Sequence, residues 1–261
     1  KRKMKLAVCQ IEMIWENKAA NYKKAEQFCK RAEAMGADLI CFPEMSFTGF
    51  SMKAEKTAEE NNETVKLMQE YAKKYHLAIG FGWAKKTTGK AENHYTLVTG
   101  EKICGDYTKI HPFSYSGEDK YFQGGLQPCI LELEGVKIGL SICYDLRFPE
   151  LYQYLSEKAD LILVPANWPE SRSMHWKVLL QARAIENQCY IAGINCYGPV
   201  GKLYYSGDSC VFHPCGDKIC GYLKKEELQV CDIKNDVKEY RDGFPVKRDR
   251  KPEIYARFYE K

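Results

Sequence analysis

Three residues able to do chemistry fall at matching places in this chain. Glu44 follows the apolar run at residues 38–42, Lys109 follows the run at 103–107, and Cys143 ends the alternating stretch at 136–142. In that last stretch Val136, Ile138, Leu140 and Ile142 alternate with Lys137, Gly139, Ser141 and Cys143, the period of a strand with one apolar face. Pro149 and Glu150 then suit the first turn of a helix. Cys143 thus sits where a strand stops and a helix soon starts, a place that exposes reactive side chains. A thiol there can act as a nucleophile. Taken singly, each residue has an ordinary reading: a capping carboxylate, a solvated lysine, a small buried hydrophobe. Together they share aromatic neighbours, Phe42 and Phe47, Tyr107 and Phe113, Tyr144 and Phe148. A charge in such surroundings is costly unless it is paired or used.

The elements that must position them follow a repeated rhythm. Residues 5–10 read as a strand, 17–35 as a helix stopped by Gly36, and 38–42 as a second strand ended by Pro43. A helix is expected over 57–75, a strand over 77–83, and a hairpin from 93–99 and 102–107. A long loop through 114–125 follows. Residues 129–133 and 136–142 make another hairpin, turning at Glu134-Gly135. The second half repeats the pattern: a helix from Pro149, a strand at 160–164, a helix at 173–187, and strands at 190–195, 209–213, 218–223 and 228–232. Strand–helix alternation with hairpins implies an α/β fold with mixed sheets. Two packed sheets with helices outside would bury it well.

The 261 residues carry a net charge of +4 with the two signs interspersed. Lys247-Arg248-Asp249-Arg250-Lys251 is short and mixed, so no nucleic-acid partner is expected. No apolar run approaches the ~20 residues of a membrane span, and the basic start leads into a strand with no signal-peptide core. One domain over residues 1–261 is expected. Most of the twelve cysteines lie in apolar strand-like runs, and no Cys-x-x-Cys occurs. This usage suits a reducing cytoplasm rather than a disulfide scaffold. Cys210, His213, Cys215 and Cys220 cluster in sequence, but Cys210 and His213 would face opposite sides of one strand, so zinc is not expected.

The order and separation of three motifs resemble the nitrilase superfamily of carbon–nitrogen hydrolases. The motifs are Phe42-Pro43-Glu44, then Tyr107-Thr108-Lys109-Ile110-His111, then Cys143-Tyr144-Asp145-Leu146-Arg147-Phe148-Pro149-Glu150-Leu151. The resemblance covers nearly the whole chain. It implies an α-β-β-α sandwich, two mixed β-sheets flanked by helices, and a Glu44–Lys109–Cys143 catalytic triad. It also implies no metal or organic cofactor and a homodimer, with the tail at residues 236–261 packing at the interface. Two further stretches narrow it. Ala166-Asn167-Trp168-Pro169 with Arg172, His175 and residues 181–188, and Tyr240-Arg241-Asp242-Gly243-Phe244-Pro245-Val246 to Tyr255, look like the bacterial ω-amidase branch. That branch hydrolyses monoamides of short dicarboxylic acids such as 2-oxoglutaramate and succinamate.

The residue types agree with that chemistry. Glu44 would take the thiol proton as Cys143 attacks the amide carbon, and would later activate water against the thioester. Lys109 and the Tyr144 backbone N–H would hold the oxyanion. Glu118 is the candidate for a second carboxylate beside the lysine. Arg172 is the candidate clamp for the substrate carboxylate, with Trp168, Asn167 and His175 as further candidate substrate-binding residues. His175 also reads as packing at the start of its helix. Arg147 ranks second to Arg172, because its place in the motif suggests a structural ion pair. Competing readings are a deaminated-glutathione amidase, N-carbamoyl amidase or nitrilase branch, a silent binding protein on the same fold, a cysteine-rich redox sensor, and a Cys143 paired with His111 or His175.

Overall fold

The computed structural model describes residues 3–260. Lys1, Arg2 and Lys261, at the ends of the expected domain and tail, lie outside the described residues. In chain order the strands and helices are β1 Lys3–Gln10, α1 Lys18–Ala34, β2 Leu39–Cys41, α2 Ala54–Thr57, α3 Glu63–Lys74 and β3 Ala78–Lys85. Next come β4 Ala91–Val98, β5 Ile103–Thr108, α4 Glu118–Tyr121, β6 Phe122–Gln123, β7 Cys129–Leu133, β8 Val136–Leu140 and α5 Pro149–Leu155. Then follow β9 Leu161–Ala166, α6 Ser173–Asn187, β10 Tyr190–Asn195, β11 Tyr197–Val200, β12 Leu203–Ser206, β13 Cys210–Phe212, β14 Lys218–Cys220 and β15 Glu227–Lys234. The tail carries α7 Val237–Gly243, α8 Val246–Asp249 and α9 Pro252–Arg257.

Two mixed sheets form. One runs β15-β1-β2-β3-β4-β5 with β6 beside β4, and the other runs β14-β13-β10-β9-β8-β7. β1, β2 and β3 are parallel, as are β8, β9 and β10, and the outer strands join them antiparallel. The period of two decides the layers. Leu6 and Val8 of β1 meet Leu161 and Leu163 of β9 in the core between the sheets. Ala7 and Cys9 turn outward to Ala25, Phe28, Cys29 and Ala32 of α1, together with Val65 and Met68 of α3. Ile162 and Val164 turn the other way, to Trp176, Leu180 and Ala184 of α6 and Leu151, Tyr152 and Leu155 of α5. The molecule is an α-β-β-α sandwich. Among the described residues, no helix is long and apolar enough to cross a membrane.

Four expectations change. The helix expected over 57–75 is broken between α2 and α3. Glu59 pairs its backbone with Ala84 and Lys86 at the end of β3, and its carboxylate accepts the Thr64 N–H at 2.9 Å. Those bonds compete with a continuous helix. The loop at 114–125 contains a 3-10 turn at Ser114–Ser116, α4 and β6. The β11–β12 ribbon was not anticipated. The tail, for which no element was expected, folds as three short helices. Arg241 of α7 donates to the carbonyls of Gln188, Ala159 and Asn187, so this part of the tail is anchored on its own subunit.

Candidate active site

Glu44 follows β2 in a turn pressed against β3. A Cβ built on Gly82 would lie 2.3 Å from the Met45 backbone nitrogen and 2.9 Å from the Glu44 main chain, so only glycine admits this approach. Ser46 secures the turn: its hydroxyl accepts the Gly82 N–H at 2.8 Å. The Glu44 side chain is buried, and both of its oxygens are occupied. Oε1 accepts from Lys109 Nζ at 2.8 Å and from Asn93 Nδ2 at 2.9 Å. Oε2 accepts the Asn167 backbone N–H at 3.0 Å.

Lys109 directly follows β5, its N–H tied to the Asn93 carbonyl of β4 at 2.8 Å. Its ammonium, 1 % exposed, lies between two carboxylates. Glu118, at the start of α4, accepts from it at 2.8 Å and from Asn93 Nδ2 at 3.0 Å. Glu118 Oε2 also accepts the Phe113 N–H at 2.6 Å, which fixes the loop. Burial by itself would push the ammonium pKa down. The charges of Glu118 and Glu44 outweigh it, so Lys109 is held above its ordinary value and stays charged.

Cys143 begins a 3-10 turn, Cys143–Arg147, separated from the end of β8 by Ser141 and Ile142. Its φ is 47°, a left-handed conformation that costs an L-residue and tends to mark functional turns. Asp145 supplies the restraint. Its carboxylate accepts the Ile142 N–H at 2.9 Å, the Tyr107 hydroxyl at 2.8 Å and the His111 N–H at 3.1 Å. Burial first, and the Glu44 charge second, push the Cys143 thiol well up, against the opposing pull of Lys109. The thiol therefore rests protonated beside a carboxylate that can take its proton.

Cys143 opens on a cavity of about 100 Å3, bordered also by Phe50, Phe113, Tyr144, Trp168, Arg172 and Tyr205. Cys143 and the Trp168–Arg172 loop share this cavity, while Glu44, Lys109 and Glu118 are hydrogen-bonded to one another and Glu44 is tied to that loop through the Asn167 N–H. The Trp168 indole N–H donates to the Arg172 carbonyl at 2.8 Å, and Asn195 brackets the Trp168 backbone at 2.8 and 2.9 Å. Asn167 borders the cavity, but its amide N–H groups are turned to Glu44, and its oxygen lies 3.3 Å from Cys196 Sγ. It is placed to hold the carboxylate rather than to read a ligand. His175 is exposed and stands behind Arg147, 3.3 Å from its guanidinium, outside the cavity lining. Arg147 was expected in an ion pair. It instead lies over Trp168 at 4.7 Å, borders the cavity and has no carboxylate partner among the described residues. His111 stacks on Phe148 with ring centroids 3.8 Å apart and its Nδ1 lies 2.7 Å from Asp145. Neither histidine is placed to serve the thiol.

Sequence reasoning passed over Asn93, which joins both carboxylates, and Tyr205. Asn93 stands among Glu92, His94 and Thr96 in the first half of β4, so its sequence neighbours did not set it apart. Tyr205 gave no signal either, since its ribbon was not foreseen.

Residues 5–242 match the family described as Carbon-nitrogen hydrolase. The chain is 34% identical to omega-amidase YafV of Escherichia coli (strain K12), covering 94% of this chain and 96% of that protein. It is 30% identical to 2-oxoglutaramate amidase of Bacillus subtilis (strain 168), over 97% of this chain and 100% of that one. Among solved structures, XC1258 of Xanthomonas campestris is described as a CN-hydrolase superfamily protein with an arsenic adduct in its active site. It matches with a TM-score of 0.90 at 28% identity, covering 96% of this chain and 98% of that one. With a family match from β1 into α7, and a backbone that follows a solved member almost end to end, the chain belongs to the carbon–nitrogen hydrolases.

Proposed function

We propose that this enzyme hydrolyses the terminal amide of a short dicarboxylic acid monoamide, 2-oxoglutaramate or succinamate, through a thioester on Cys143. The observation that carries the reading is a pair of arginines, Arg147 and Arg172, bordering the same small cavity as the thiol with no carboxylate partner among the described residues. An arginine can grip a carboxylate through two parallel hydrogen bonds. The names of the two relatives point to the same class of substrate.

The proposed steps use the groups gathered around the thiol. Glu44 takes the thiol proton as the sulfur attacks the amide carbon. Lys109, already charged, and the Tyr144 backbone N–H receive the oxyanion. Glu44 passes its proton to the departing nitrogen, the C–N bond breaks, and ammonia leaves. A water then gives its proton to Glu44 and attacks the thioester carbon. The C–S bond breaks, the thiol regains its proton and the free acid departs. Glu118 and Asn93 keep Lys109 and Glu44 aligned throughout. Each role falls to a side chain or backbone group of this chain.

The reading extends to a homodimer and to the cytoplasm. Phe244, Phe258 and Tyr259 leave apolar surface on the tail at 62%, 73% and 77% exposure, which a second subunit would cover. All twelve cysteines are free, as suits a reducing compartment. The functional test is ammonia release from succinamate and 2-oxoglutaramate, with nitriles and N-carbamoyl amino acids alongside. Turnover of the monoamides is expected. Turnover confined to nitriles or carbamoyl compounds would sink the reading.

A further inference from the structure

Tyr205 is only 2 % exposed and borders the cavity on which Cys143 opens, and its hydroxyl makes no hydrogen bond among the described residues. Its ring belongs to the outer hydrophobic cluster that also holds Ile11, Met13, Cys196 and Val200. The β11–β12 ribbon sets the side. Leu203 and Tyr205, two residues apart, both border the cavity, while Tyr204 between them is turned to solvent near Tyr197. Burial first, then the charges of Cys196, Cys143 and Glu44, push the phenol well up, so it stays a donor. Tyr205 and the nucleophile border the same cavity. Neither Glu44 oxygen needs it, since both already accept hydrogen bonds. The hydroxyl is therefore a donor held in reserve for a ligand.

A count of donors against a monoamide's acceptors shows which ligand atom is left. Lys109 has three N–H groups, two spent on Glu44 and Glu118, so one remains for the amide oxygen. Arg147 and Arg172 are free for the carboxylate at the far end. A plain dicarboxylic monoamide has no acceptor between those ends, whereas a 2-oxo acid monoamide has one. We infer that the Tyr205 hydroxyl is a specificity determinant that donates to the 2-oxo oxygen, selecting 2-oxo acid monoamides over their deoxo counterparts. This rests on the monoamide reading above.

Tyr205→Phe removes the oxygen and keeps the ring, and an unchanged melting temperature confirms that packing survives. The variant is expected to lose about tenfold in kcat/KM on 2-oxoglutaramate, while glutaramate, the same chain without the oxo group, changes by less than roughly twofold. Competitive inhibition gives a binding readout independent of turnover: 2-oxoglutarate should weaken in the variant and glutarate should not. An equal loss on both amides, or no loss on the oxo amide, overturns the inference. Wild-type enzyme inert toward both monoamides would remove the functional reading and this inference with it. Wild-type turnover with an indifferent variant would remove only this inference.

Discussion

Asn167 holds Glu44 from two sides. Its backbone N–H donates to Oε2 at 3.0 Å, and its side-chain amide donates to the Glu44 main-chain carbonyl at 2.7 Å. The loop after β9 in one sheet thereby orients the carboxylate after β2 in the other. Asn167→Ala keeps the backbone bond and loses the second. The expected result is a fall in kcat of about tenfold to a hundredfold with KM little changed, the pattern of a misplaced base. Steady-state kinetics on succinamate decide it. A rise in KM at constant kcat would make Asn167 a ligand-binding residue after all.

The second prediction concerns the Lys109 charge. Lys109→Met leaves Glu44 and Glu118 side by side, buried, with only Asn93 between them. Removing one partner of a buried ionic group costs about 3–5 kcal/mol. Adding Glu118→Gln removes one of the stranded carboxylates and should recover part of that loss. Urea unfolding of the two variants measures both effects. Both should be inactive, as should Cys143→Ala, whose stability should stay near wild type. Equal stability of the single and double variants would deny the coupling.

The third concerns pH. Because burial and the Glu44 charge raise the Cys143 pKa, the thiolate fraction at neutral pH is small and grows as pH rises toward that pKa. Alkylation by iodoacetamide should therefore accelerate steadily, roughly tenfold per pH unit, between about pH 7 and 9. A rate already level at pH 7 would reveal a preformed thiolate–ammonium pair with Lys109 and contradict the base role of Glu44.

Much of this was legible in residue patterns, for identifiable reasons. The strand period placed Glu44, Lys109 and Cys143 at strand ends, and those ends converge because both sheets are built from the same repeated unit. The break between α2 and α3 was not legible, because the pairing of Glu59 with β3 is a tertiary contact that no local pattern signals. Arg147 misled for a similar reason. Its neighbours along the chain suggested an ion pair, but its partners in space, Trp168 and His175, come from a loop and helix about twenty to thirty residues on. Tyr205 was hidden by its setting. Tyr197-Gly198-Pro199-Val200 does not alternate like a half-buried strand, so the ribbon that carries it gave no warning.

The fourth prediction separates the roles of the arginines from their charge. Arg172→Ala should weaken transition-state binding of succinamate by about 1.5–3 kcal/mol, roughly tenfold to a hundredfold in kcat/KM. A neutral amide of similar size should be spared. Equal losses on both would make Arg172 a support for the loop, through its contacts with Phe113 and Tyr115.

The fifth concerns assembly. Truncation after Pro245 removes Phe258 and Tyr259 together with α8 and α9, and leaves the anchored α7. Light scattering at micromolar concentration should give a dimeric mass for the full chain and a weakened dimer for the truncated one. A monomeric full chain would defeat the proposal.

Gly82 carries no reactive atom and touches no ligand, yet the turn that bears Glu44 can reach its place only because nothing projects from that position. An added methyl would have to share space with the Met45 nitrogen. Tolerance to substitution in this enzyme is therefore not graded by distance from the reacting sulfur. A conservative-looking change in the middle of β3 can disable the enzyme more thoroughly than a drastic one at the cavity rim. Libraries meant to widen its substrate range should hold this position constant and vary the rim.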